Sequence, residues 1–92
     1  MLKSREQIQQ NYQKKIITRL EKEGYYVIKL IKTNKNGIPD LLVIKENETF
    51  FVEVKQPNGI LSEIQKFRIE ELRQKGIKTL VIYGNLPINW KD

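Results

Sequence analysis

Four consecutive apolar residues, Leu41-Leu42-Val43-Ile44, follow directly on Pro39-Asp40. A run this short, rich in branched side chains and free of polar alternation, is the pattern of a strand covered on both faces. A chain of 92 residues that buries such a strand must place further elements against each side of it. The carboxylate at its start must then face something polar, because an ion cannot be left in an apolar end.

The flanking residues supply those elements. From about Ser4 to Glu23, Ile8, Tyr12, Ile16 and Leu20 recur every fourth residue, which predicts a helix with one apolar stripe that Gly24 ends. Tyr25 to Lys32 is aromatic and β-branched and reads as a strand, followed by the polar loop Thr33-Asn34-Lys35-Asn36-Gly37. Lys45 to Glu48 is a turn. Thr49 to Lys55 alternates, with Phe50, Val52 and Val54 on one face and Phe51, Glu53 and Lys55 on the other. After the Gln56-Pro57-Asn58-Gly59 loop, a second helix starts at Ser62, with Ser62-Glu63-Ile64-Gln65 as a capping box, and stops at Gly76. Ile77 to Tyr83 is a last strand, reached through a helix and therefore expected to pair in parallel by a right-handed crossover. The order is α-β-β-β-α-β: an α/β fold with a mixed central sheet flanked by helices, in one domain with a core of about 4–83 and an irregular tail, 84–92.

Placing the turn at Asn47-Glu48 sets Asp40 opposite Lys55 and Leu42 opposite Glu53. Asp40 and Glu53 then become diagonal neighbours on one face, within reach of a common cation, and Lys55 stands beside them. The chain has no cysteine and no histidine. This excludes disulfides, thiolate or imidazole metal sites and Ser–His or Cys–His nucleophile pairs, and restricts any metal to oxygen ligands such as those of Mg²⁺ or Mn²⁺. Seventeen Lys/Arg against eleven Asp/Glu give a net charge of +6, which favours an anionic partner. With no long apolar run and no secretory pattern, no membrane role is expected, and the cytoplasm is the expected compartment.

The helices add candidates that each carry two readings. Gln65 interrupts the inward stripe of the second helix, either as the capping partner of Ser62 or as a site residue. Glu6 lies at the edge of the first helix's stripe near Gln13, either as a third carboxylate or as a first-turn acid favoured by the helix dipole. Lys32, Lys35 and Asn36, in the loop before Asp40, are phosphate-contact candidates or a solubilising loop. Ile64 and Phe67 project from the other side of the second helix, as a homodimer surface or as a patch that the Trp90 tail covers.

The run Gly37-Ile38-Pro39-Asp40-Leu41-Leu42, then Phe51-Val52-Glu53-Val54-Lys55, then Gly59-Ile60-Leu61-Ser62 with Gln65, resembles the PD-(D/E)XK nuclease superfamily. It is most similar to the stand-alone phage and bacterial VRR-NUC domains within it, and Glu6-Gln7-Ile8-Gln9 resembles that family's first helix. The resemblance covers roughly residues 4 to 83. It implies a restriction-endonuclease-like core and a Mg²⁺- or Mn²⁺-dependent DNA endonuclease in a bacterial or phage-infected cell. It further implies a preference for branched DNA such as Holliday junctions, a homodimer, and a role in replication, recombination or repair. It implies Asp40, Glu53 and the backbone carbonyl of Val54 as metal ligands, Lys55 as the cation acting on water and phosphate, Gln65 as the site glutamine, and Glu6 as the first-helix acid, a position that Arg5 contests. Two other classes of function fit the same fold: a catalytically silent nucleic-acid-binding module and a structural subunit of a larger assembly.

Overall fold

A computed structural model describes residues 4–92. Helix α1 (Arg5–Lys22) is followed by β1 (Tyr26–Lys29), β2 (Leu41–Lys45), β3 (Glu48–Lys55), α2 (Glu63–Gln74) and β4 (Lys78–Tyr83). Both helices are bracketed by the same local chemistry. Ser4 and Ser62 are N-caps that exchange reciprocal bonds with Gln7 and Gln65. At the other ends, Gly24 and Gly76 take left-handed backbone and close six-to-one bonds, Tyr25 N–H to Leu20 and Ile77 N–H to Leu72.

The four strands form one mixed sheet in the order β1-β2-β3-β4. β1, β2 and β3 are antiparallel, and β4 joins β3 in parallel through α2, as the crossover argument requires. The expected first strand was longer. β1 stops at Lys29 because the chain beyond it turns away to reach α2, where Arg68 Nε donates to the Asn36 carbonyl at 2.8 Å.

The register also differs from expectation. The two-residue turn is Glu46-Asn47, not Asn47-Glu48, and Glu46 takes the positive φ of 42°. This places Lys45 opposite Glu48, an opposite-charge pair, and Leu41 opposite Val52. Continued by one residue, the register sets Asp40 across from Glu53 rather than from Lys55. The faces are unchanged, because the shift moves each partner by two residues.

One face carries the core. Leu41, Val43, Phe50, Val52 and Val54 are buried there against Ile16 and Leu20 of α1. Each such side chain contributes about 1.5–3 kcal/mol when fully buried. The 84–92 tail docks on this same side. Arg19 donates to the Leu86 carbonyl and, at 3.0 Å, to that of Ile88, and Trp90 closes an aromatic cluster with Tyr25 and Phe50 at 5.6–5.7 Å between centroids. The tail therefore leaves the Ile64/Phe67 surface open. The opposite face is covered by α2 only toward β4, so Leu42 and Ile44 are half-buried where cover on both faces was expected.

Gly37 sits where the 33–38 loop meets α2. Its φ is +79°, and a Cβ there would lie 2.6 Å from the Ile64 carbonyl oxygen. Gly76 has a similar φ, +90°, with open space around it. Gly37→Ala is therefore expected to destabilise the protein by clearly more than Gly76→Ala, whose cost is the left-handed penalty of ~1–2 kcal/mol alone. Urea unfolding of the two variants checks the order.

Candidate active site

The site forms where strand pairing runs out. β2 begins at Leu41, so β3 has no strand neighbour on that side at Val54. Two side chains take the vacated positions. Asp40 Oδ2 accepts the Val54 N–H at 2.8 Å, and the Gln9 side-chain amide donates to the Val54 carbonyl. The backbone of Val54 is thus held on both sides by side chains from other elements.

Glu53, one residue earlier, points to the opposite face and is only 2 % exposed. Its Oε2 accepts from Gln65 Nε2 at 3.3 Å, whereas its Oε1 is buried without any hydrogen-bond partner. Gln65 is the expected capping partner of Ser62 and also lies against Glu53. Its Oε1 accepts the Ser62 N–H at 2.9 Å in the capping box while its amide nitrogen faces Glu53. Burial pushes the Glu53 carboxyl up to about 8, and the adjacent Asp40 charge adds to the rise, with Lys55 opposing it. Burial raises Asp40 as well, against the Val54 N–H, the neighbouring Glu53 side chain and the charges of Lys55 and Lys29. With its carboxyl raised to about 8, Glu53 holds its proton at neutral pH when no cation is present.

Lys55 is half-buried on the same face of β3, at the next position after Glu53. It lines a cleft with Arg5, Gln9 and Asn58. Arg5 and Gln9 also line an adjoining cleft of about 470 Å³ that contains Asp40, Glu6, Gln13 and Lys29. Glu6 is exposed at the rim of that cleft, and among the described residues no cluster of three acidic side chains forms. Lys32, Lys35 and Asn36 are exposed around a third recess that shares Leu30 and Ile31 with the Asp40 cleft.

Three polar residues of the site had no role assigned from sequence: Gln9, Gln13 and Lys29. Gln13 carried a signal, since a polar side chain adjoining the Tyr12–Ile16 stripe must face the core. Lys29 lies opposite Leu41 in the sheet, a placement that only the register reveals.

A model of the VRR-NUC domain matches residues 2–86. The chain belongs to the VRR-NUC domain family. A solved VRR_NUC domain structure is 32% identical and superposes with a TM-score of 0.75, covering 84% of this chain and 85% of that one. A "crossover junction endodeoxyribonuclease" of Sulfolobus islandicus rod-shaped virus 1 is 32% identical over 63 residues, 66% of this chain and 52% of the viral protein. The chain thus spans about half the length of that curated relative. Among the described residues no helix is long and apolar enough to cross a membrane.

The raised carboxyl has a consequence for stability. A group with a folded-state pKa above its unfolded value adds stability that is full below the unfolded pKa and is lost as pH rises through the folded pKa. In chelator, stability is expected to fall between about pH 4.5, the unfolded value, and about pH 8. Glu53→Gln should flatten that slope and raise Tm at pH 8 by at least about 4 °C, the shift that ~1 kcal/mol produces in a domain of this size. Thermal melts of both proteins across this pH range provide the check.

Proposed function

We propose that this chain is a divalent-metal-dependent DNA endonuclease that selects branched DNA such as Holliday junctions, acting in replication, recombination or repair. The observation that carries the reading is the pair Asp40 and Glu53: two acids held on one sheet end, both raised by burial, one with a buried and unpartnered oxygen. Such an arrangement is costly in a fold that does not use it, and a cation removes the cost. The donor set is all oxygen, which suits Mg²⁺ or Mn²⁺. The junction-endonuclease name of the viral relative and the net charge of +6 support the choice of DNA.

Asp40, Glu53 and the Val54 carbonyl would hold the metal, with Glu6 as a further acid at the cleft rim. A divalent cation held there supplies Lewis acidity toward the scissile phosphate and makes nearby water more acidic. Gln65 fixes one Glu53 oxygen and so leaves the other to the cation. Lys55 places a positive charge beside the negative charge that builds on the phosphate. Lys32, Lys35 and Asn36 hold the flanking backbone, sequence-independently.

The protein acts as a homodimer in this reading. Phe67 and Ile64 on α2 are 58 % and 43 % exposed. On the same face, Tyr26 and Ile28 of β1 lie exposed beside Ile44 and Leu42, giving apolar surface that a second copy would bury. Equilibrium sedimentation should show a dimer that Phe67→Asp dissociates; a wild-type monomer at all concentrations argues against it.

Incubation with four-way junction, flap, duplex and single-stranded DNA, in chelator, Mg²⁺ or Mn²⁺, tests the activity. Junction cleavage is expected only with metal. Asp40→Ala and Glu53→Ala should reduce it to the chelator background, and Gln65→Ala by about 10–100-fold as a support of the metal ligand. Binding without cleavage in either metal would make the chain a nucleic-acid-binding module, and absence of both would leave a structural subunit.

A further inference from the structure

Gln9 and Gln13 stand four residues apart on α1, so their side chains lie on one helix face. Both line the cleft that contains Asp40. Their hydrogen bonding is unequal. The Gln9 amide donates one of its two N–H groups to the Val54 carbonyl. Gln13 is 7 % exposed, and its Oε1 is buried with no partner. Leaving an acceptor in that condition is costly, and a partner supplied in another state of the protein removes the cost.

A candidate donor stands one helical turn away on the same face. If turning toward a cation weakens the bond from Gln9 to the Val54 carbonyl, the Gln9 amide is freed toward the Gln13 oxygen, an unfilled acceptor on α1. We propose that Gln9 and Gln13 are positioning residues for the Val54 carbonyl: Gln9 holds that carbonyl while no metal is bound, and passes its amide hydrogen bond to Gln13 when the carbonyl becomes a metal ligand. The exchange conserves hydrogen bonds. One N–H leaves one oxygen for another, and the orphaned acceptor is satisfied only in the loaded state. The proposal rests on the metal site assigned above to Asp40, Glu53 and Val54.

The test is a Mg²⁺ titration followed by NMR of the ¹⁵N-labelled side-chain amides, with thermal melts in chelator. The proteins are wild type, Gln9→Ala, Gln13→Leu, the double variant and Asp40→Asn. Gln13→Leu should raise Tm in chelator, because it removes a buried unpaired group, while weakening Mg²⁺ binding by about fivefold, the value of one hydrogen bond. In the Gln9→Ala background the same change should leave Mg²⁺ affinity nearly unaltered. The Gln9 amide signals should move on Mg²⁺ addition in the wild type and lose that response in Gln13→Leu. An equal effect of Gln13→Leu with and without Gln9, or none in either, would overturn the handover while leaving the metal site intact. Mg²⁺ binding unchanged by Asp40→Asn would instead overturn the metal assignment itself, and the handover with it.

Discussion

The geometry of this protein depends on where β2 begins. Strand pairing satisfies backbone groups in rows, and a row that stops leaves donors and acceptors to be met otherwise. β2 begins two residues short of covering Val54, and the polar groups that complete the row are side chains. Asp40 is held by the backbone of the strand that also carries Glu53 and Lys55, so the spacing of the site inherits the rigidity of the sheet. The same shortfall leaves a strand carbonyl to a side-chain donor, Gln9, which an unbroken ladder would never do.

Concentrating two acids at that point works against the fold and in favour of the chemistry. Burial raises both carboxyls, and the Asp40 charge raises Glu53 further, which is a poor resting state for a small domain with few kcal/mol to spare. The surrounding structure compensates without neutralising the pair. No ion pair among the described residues involves Asp40 or Glu53; Lys55 and Lys29 act only through space. A direct bridge would quench the acids, whereas charge at a distance lowers their cost and keeps their oxygens free.

The faces of the strands were legible in the sequence because their period is two and their apolar residues are unambiguous: Phe50, Val52 and Val54 could only share one side. That alone brought Asp40 and Glu53 together. The register was not legible, since Glu46 rather than Asn47 takes the left-handed turn position, and nothing local favours a glutamate there. The docked tail escaped notice for a similar reason. Leu86 meets Arg19, 67 residues away, and Trp90 meets Tyr25 and Phe50, and a single sequence does not announce such distant pairings. Gln9 looked like one polar residue among several on a helix; only the end of β2 gives it a function.

Gln65 closes the N-terminus of α2 and touches Glu53 with one and the same amide group. Helix ends fray, and the first turn of α2 can unwind only by releasing that amide. Local melting of the helix and loosening of the buried acid are therefore a single event. The stiffness of the Glu53 carboxylate is set by the opening equilibrium of a capping box, and sequence changes in the exposed first turn of α2 tune it.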